Sequence, residues 1–339
     1  MAAGFVVVAG ESASTVIAGT IFRMLPKSRI LSALLVGLGA ALMVGGLLSP
    51  ALINADGRLP LDLENTTWTI RDEQAETRLL TSPDGRVLNV PVSRQLHLDV
   101  QEPATEDNVS VRVGATTMRD SMQADADRLI TAHTWSYVMD RVSGEAETDA
   151  DLIHTIGFPP ETVPVDGHWL KLPSDAEQTT YPVFDETLRE SRPAVFVEER
   201  QVEGRTIYQY RQVIEPTNVA ELYEGFFTAT EVDGEQWPLF HSVTRDLHVD
   251  QVTGLVVDVE ESVDDFYAPS ADAPAAERQT VLRFEGSRDD AQVSASLTEL
   301  DGRLDPGAVQ VIRWVVVGVG AALVLIGVIG AFRGRRRSR

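Results

Sequence analysis

Trp314–Phe332 reads WVVVGVGAALVLIGVIGAF, nineteen residues without a charge, and Arg333, Arg335, Arg336, Arg337 and Arg339 follow directly. At ~1.5 Å per residue such a helix reaches ~28 Å, about one hydrocarbon core. A buried core helix rarely runs so long without a polar face. The arginines behind it stop transfer and mark the cytoplasmic side. This stretch is a transmembrane helix, and it makes the rest of the chain something hung from a membrane.

Charge supports that division. Fifty of the 51 acidic residues lie between Ser49 and Arg313, with 21 of the 29 basic ones, while both flanks are basic. So acidic a middle repels nucleic acid and anionic headgroups, which excludes nucleic-acid binding and suits a solvated extracytoplasmic domain. The chain has no cysteine, so neither a disulfide framework nor a thiolate metal site is available. Two lysines against 27 arginines speak of codon usage, not function.

A second uncharged run of nineteen residues, Ile30–Leu48, follows Lys27 and Arg29 and ends at Ser49-Pro50. A positive flank before the apolar run gives an N-in orientation. Gly37, Ala41 and Gly45, spaced by four, predict a stripe of small residues facing the C-terminal helix. Ile53-Asn54-Ala55 resembles a signal-peptidase site, but the run exceeds a 7–15 residue h-region, which favours a retained anchor. Residues 1–23, broken by Glu11, make a poor span, and Met24 opens a more ordinary start than Met1.

Between the runs the pattern is β. Arg86–Val100, Val109–Val113, Thr206–Val213 and Leu247–Glu260 alternate apolar and polar residues. Turn signals bound them at Pro83-Asp84-Gly85, Glu203-Gly204, Asp233-Gly234 and Thr253-Gly254. Period two with one apolar face predicts antiparallel sheet with water on one side. Helical signal is confined to Ser121–His133 and Val219–Thr228. A weak repeat pairs a Gly-turn hairpin with a later strand ending in an Asp…Thr/Ser-Gly turn, Asp140…Gly144 in one copy and Asp250…Gly254 in the other. Duplication would give two β lobes meeting near Gly157–Asp166. The acidic, Ala/Pro-rich stretch Ala268–Glu277 reads as a surface loop.

The fold class expected is mainly β: an antiparallel extracytoplasmic domain, as two related lobes, tethered by a transmembrane helix at each end. Its parts are a cytoplasmic segment over residues 1–29, a span over 30–48, lobes over 49–160 and 161–311, a span over 312–332, and a basic tail over 333–339.

Signatures of chemistry are absent from the sequence. The six histidines form neither H-x-x-x-H nor H-x-H, and His97 and His248 fall in strand patterns where a lone His reads as a satisfied sheet residue. Neither a G-x-S-x-G elbow nor a P-loop or G-x-G-x-x-G occurs, and the acidic loops do not fit D-x-[DN]-x-[DN]-G. The expectation is a non-enzyme without catalytic residues, cofactor or metal. Aromatic content is the remaining lead. Trp135, Trp169, Tyr181, Phe184, Tyr208, Tyr210, Phe226, Phe227 and Trp237 either fill the core or line an apolar cleft for a lipid chain.

Several motifs carry a resemblance. They are Lys171-Leu172-Pro173, Tyr181-Pro182-Val183-Phe184-Asp185, Glu203-Gly204 followed by Tyr208, and Val249-Asp250 followed by Thr253-Gly254. In this order, between two anchors, they resemble the actinobacterial porin PorA family, a domain of unknown function whose members include polar growth factor A of mycolate-bearing bacteria. The resemblance spans roughly residues 27–333. It implies an inner-membrane protein, N-in and C-in, working in cell-envelope biogenesis. Its expected partners are the bilayer, a mycolate glycolipid of the trehalose monomycolate kind and an RND-type lipid exporter. The alternative it leaves open is a scaffold for polar growth or a regulator of lipoglycan maturation that binds proteins. A pore is not expected, because a barrel has no use for terminal helical anchors.

Overall fold

A computed structural model of the 339-residue chain describes residues 27–49, 57–64, 66–79, 85–122, 125–155, 157–301 and 306–333. The first 23 residues, Ile53–Ala55, Pro83-Asp84 and the tail beyond Arg333 lie outside them. Two compact units emerge, one joining Met1–Ala55 to Pro306–Arg339 and one running from Asp56 to Asp305.

The first unit is a helical hairpin of α1 (Lys27–Leu48) and α4 (Pro306–Arg333). Each contains a span long and apolar enough to cross a membrane, Ile30–Leu48 and Val309–Phe332. Ser32 lies against Gly330, and Gly46 against Val317, so the helices are antiparallel. Backbones touch where glycines meet. A Cβ on Gly39 would stand 2.5 Å from the Gly320 carbonyl oxygen, and one on Gly327 would stand 2.8 Å from that of Ser32. This corrects the expected stripe, because Gly37 and Gly45 have nothing within 4 Å of a Cβ position. The reason is helical period. Steps of four residues drift ~40° each around a helix, whereas steps of seven drift only ~20°, so Ser32, Gly39 and Gly46 hold one face.

The second unit is built on a single antiparallel sheet. Strands β1 (Thr67–Arg78), β2 (Val87–Ala104) and β3 (Asn108–Arg119) lead to one helical turn, α2 (Asp125–Arg128). Next come β4 (Leu129–Asp140), β5 (Ala150–Ile153) and β6 (Glu161–Val163). The second half holds β7 (Thr180–Asp185), β8 (Glu190–Val202), β9 (Arg205–Asn218) and β10 (Ala229–Val232). It closes with β11 (Glu235–Asp250), β12 (Val256–Tyr267), β13 (Gln279–Ser287) and α3 (Asp290–Asp301). The spatial order is β6-β5-β4-β3-β2-β1-β13-β12-β11-β9-β8-β7, with β10 beside β11. The two expected lobes therefore share one sheet, joined where β1 pairs with β13.

Alternation fixes which face is buried. On β3, Val109, Val111, Val113 and Ala115 point into the core, opposite Trp135, Tyr137 and Met139 of β4. At Glu203-Gly204 and Asp233-Gly234 both residues take positive φ, the paired left-handed conformation of a type I′ turn, which matches the twist of the strands it joins. The helices differ from expectation. Among the described residues of 121–133 the helix is confined to Asp125–Arg128, and His133 lies in β4, because alternation from Leu129 onward pairs with β3. Val219–Glu221 is a single 3-10 turn capped by Asn218. Conversely α3 escaped the pattern reading. The Asp289 side chain accepts from Gln292 N at its start, and Leu297 and Leu300 anchor it on the core.

The weak repeat has a structural counterpart. In both turns the Gly N–H donates to the Asp carbonyl, Gly144 to Asp140 at 3.0 Å and Gly254 to Asp250 at 2.8 Å. In both, the Asp carboxylate accepts from turn N–H groups, those of Val142 and Ser143 in one and that of Thr253 in the other. Lys171 joins them. Its ammonium, fully buried, donates to the carbonyls of Val142 at 2.8 Å, Leu172 at 3.0 Å and Thr253 at 2.7 Å.

Candidate functional site

Asp185 and Glu186 stand where β7 turns toward β8. Asp185 Oδ1 accepts from the N–H groups of Thr187 and Leu188, which fixes the turn and aims both carboxylates inward. There they meet side chains from distant strands. Arg245 of β11 reaches Asp185 at 3.2 Å, Gln212 at 2.6 Å and Glu261 of β12. Arg94 of β2 bridges Glu261 and, at 3.1 Å, Glu186. His241 sits between Asp265, 2.6 Å away, and Asp185, 3.4 Å away.

Buried charge is tolerated here because it is paired. Burial alone would push Asp185 up, but His241 and Arg245 outweigh it and hold this carboxyl far below its ordinary range. Burial would likewise lower His241, yet Asp185 and Asp265 hold it up to about 10, an imidazolium at neutral pH. Glu261 is lowered, its burial outweighed by Arg245 and Arg94. Glu186 is the exception. Burial outweighs Arg94 and raises it, and its Oε2 is buried without a hydrogen-bond partner.

Above this cluster lies a cavity of about 120 Å³. Its lining combines apolar Trp68, Leu96, Trp169, Phe184 and Val256 with charged Arg94, Glu186, Arg245 and Glu261. A void of this size is near the ~150 Å³ that admits one benzene ring, far short of a long acyl chain.

The nine aromatic candidates do not gather around it. Trp135, Trp169 and Phe184 form one packed group, with Trp135 edge-on to both partners at 5.6 Å between ring centres. Tyr181, Tyr208 and Tyr210 form another. Trp237 is half-buried on β11, its indole N–H without a partner. Phe226 and Phe227 are exposed at 74% and 67%, and Phe226 lies edge-on to exposed Phe158. Of the nine, Trp169 and Phe184 line the cavity. Spacing along the chain does not mark Arg94, Glu186 or Arg245, and Glu261, which beside Glu260 reads as solvated charge at a strand end, is instead buried; the four become one group only through the strand order.

The family model described as Porin PorA matches residues 31–329, which takes in most of α1 and α4 and every residue of this site. The chain belongs to the Porin PorA family. A Porin PorA of Corynebacterium amycolatum is 24% identical over 52% of this chain, and the match spans about half, 55%, of that relative. A Porin PorA of Corynebacterium resistens is 22% identical over 92% of this chain and 98% of its own length. Within this Porin PorA chain, Tyr181–Asp185 supplies core packing through Phe184 and the central carboxylate through Asp185. Lys171-Leu172-Pro173 supplies the tie between the two turns.

Proposed function

We propose that this chain is a non-enzymatic cell-envelope protein, anchored in the inner membrane N-in and C-in, that engages the sugar head of a mycolate glycolipid as it passes to or from an RND-type exporter. What carries the reading is Glu186. A buried carboxylate oxygen without a hydrogen bond borders a ring-sized cavity walled by Trp68 and Trp169. A sugar ring suits such a wall, its C–H face against indole and its hydroxyls against carboxylate and guanidinium. At this volume the acyl chains stay outside the protein.

The relatives are called porins, but a conducting pore is not part of this proposal. Arg71, Glu76, Glu260, Arg283 and Glu285 line an open groove of the sheet, which does not suit lipid. Two helices in one chain do not enclose a channel. A second reading, a scaffold binding envelope proteins, draws on exposed Phe158, Phe226 and Phe227.

Native mass spectrometry of the full chain in detergent with trehalose monomycolate tests the first reading. Retained glycolipid, weakened ~10-fold or more in Glu186→Gln and Trp169→Ala, is the expected result. A clean apo mass at saturating glycolipid overturns it and leaves the scaffold.

A further inference from the structure

On the opposite face of β11 and β12 from the cavity, three ligand-type side chains converge. His248 and Asp258 are directly paired across the two strands, and Glu260 lies two residues further along β12 on the same side. One ligand atom from each falls within 4.8 Å of the other two. His248 Nε2 is 3.5 Å from Glu260 Oε1. The His248 side chain is 8% exposed, and Nε2 has no hydrogen-bond partner. A satisfied sheet histidine, as the strand pattern suggested, would not leave this atom orphaned between two carboxylates.

Geometry and donor set agree on what fits. Ligand atoms at ~2.0–2.2 Å around a tetrahedral ion stand roughly 3.3–3.6 Å apart, which is the His248–Glu260 separation. Small side-chain rotations draw in the third atom, which already lies within 4.8 Å of the other two. One imidazole with two carboxylates suits zinc or its first-row neighbours, whereas calcium and magnesium take oxygen donors. Asp258 is oriented by an N–H from Val259 at 2.8 Å to its Oδ1. The Glu260 side chain is 58% exposed, so ions enter from its side and a water completes the shell.

We propose that His248, Asp258 and Glu260 bind one divalent ion of the zinc class, clamping β11 to β12 on the acidic face of the sheet. The site is independent of the glycolipid reading. Its pattern escaped a motif search because the ligands come from two paired strands, not from one helix or loop.

The test uses the full chain in detergent, stripped with chelator and titrated at neutral pH with zinc by calorimetry and with cobalt by absorption. The expected result is one tight site with the visible bands of tetrahedral cobalt, unaffected by excess calcium. His248→Ala should weaken it more than ~100-fold, beyond the usual cost of disturbing a supporting residue. Glu285→Gln, a carboxylate elsewhere in the acidic groove, should leave it unchanged. His248→Gln serves if the alanine variant fails to fold, and metal-free circular dichroism checks both. Only weak, multiple binding in the parent, or a tight site that survives both His248 substitutions, overturns the proposal and leaves His248 and Glu260 as a simple ion pair.

Discussion

Lys171 donates to the backbone carbonyl of Thr253 across 2.7 Å from a side chain with no exposed surface. The same ammonium holds Val142, so one cation spans the Asp140 and Asp250 turns that the weak repeat singled out. Lys171→Met keeps much of the apolar stem but removes the donor to three carbonyls, of which that of Val142 still accepts from Ser174 N at 3.0 Å. Each buried acceptor left without a partner costs ~1–3 kcal/mol, and some will recruit water. With two acceptors orphaned the expected loss is ~2–4 kcal/mol, roughly 4–16 °C for a domain of this size. Thermal unfolding of the full chain in detergent checks it. A midpoint within ~2 °C of the parent would show that the tie is dispensable.

Gly254 depends on the same crossing. Its φ is +73°, and a Cβ there would stand 1.9 Å from the Leu172 carbonyl oxygen, which is backbone and cannot rotate away. Gly204 has φ +84° but nothing within 4 Å. Gly204→Asn should therefore cost no more than ~1 kcal/mol, because Asn tolerates the left-handed region. Gly254→Ala should cost more than ~3 kcal/mol, strain and clash together. Matched denaturant melts decide the point. Equal losses would mean that conformation alone, and not the close approach, requires glycine at 254.

The long apolar helices and the strands were legible because each writes a simple pattern, an unbroken uncharged run in one and a period of two in the other. Ile30–Leu48 and Trp314–Phe332 lack charge throughout, and Val109–Val113 alternates as a half-buried strand must. Helix α3 lacks a legible stripe because its apolar contacts, Val293, Leu297 and Leu300, are sparse among Ser, Thr and acidic residues. The helix stripe was misread for a different reason: spacing by four is conspicuous in sequence, yet the packed face follows spacing by seven. The charged site was illegible because Arg94 and Glu261 lie 167 residues apart, and 51 carboxylates offered no way to choose among them.

His241 gives the domain a pH dependence of definite sign. Its folded pKa is raised to about 10 from an ordinary 6.5, so its stabilisation is complete below pH 6.5 and is lost as pH climbs toward 10. On the order of a few kcal/mol rides on this group, given how tightly it is coupled to Asp185 and Asp265. The full chain should melt lower at pH 9.5 than at pH 6.5. His241→Gln should be less stable at pH 6.5 and show a flatter profile over that window. A parent whose midpoint is level from pH 6.5 to 9.5 would mean that the imidazole is neutral in the fold.

The helical hairpin is open to a direct test, since the chain carries no cysteine to interfere. A Cβ on Gly330 would lie 4.0 Å from that of Ser32, inside the ~3.5–4.5 Å span that a disulfide bridges. Ser32→Cys with Gly330→Cys should therefore close an intrachain bridge under mild oxidant, shifting the protein's migration on non-reducing gels without forming dimers. Gly37→Cys with Gly330→Cys is the control, because Gly37 has open space around it. Crosslinking of the first pair into dimers would mean that α1 and α4 find each other between chains, and crosslinking of the control pair instead would return the contact to the stripe that spacing by four suggests.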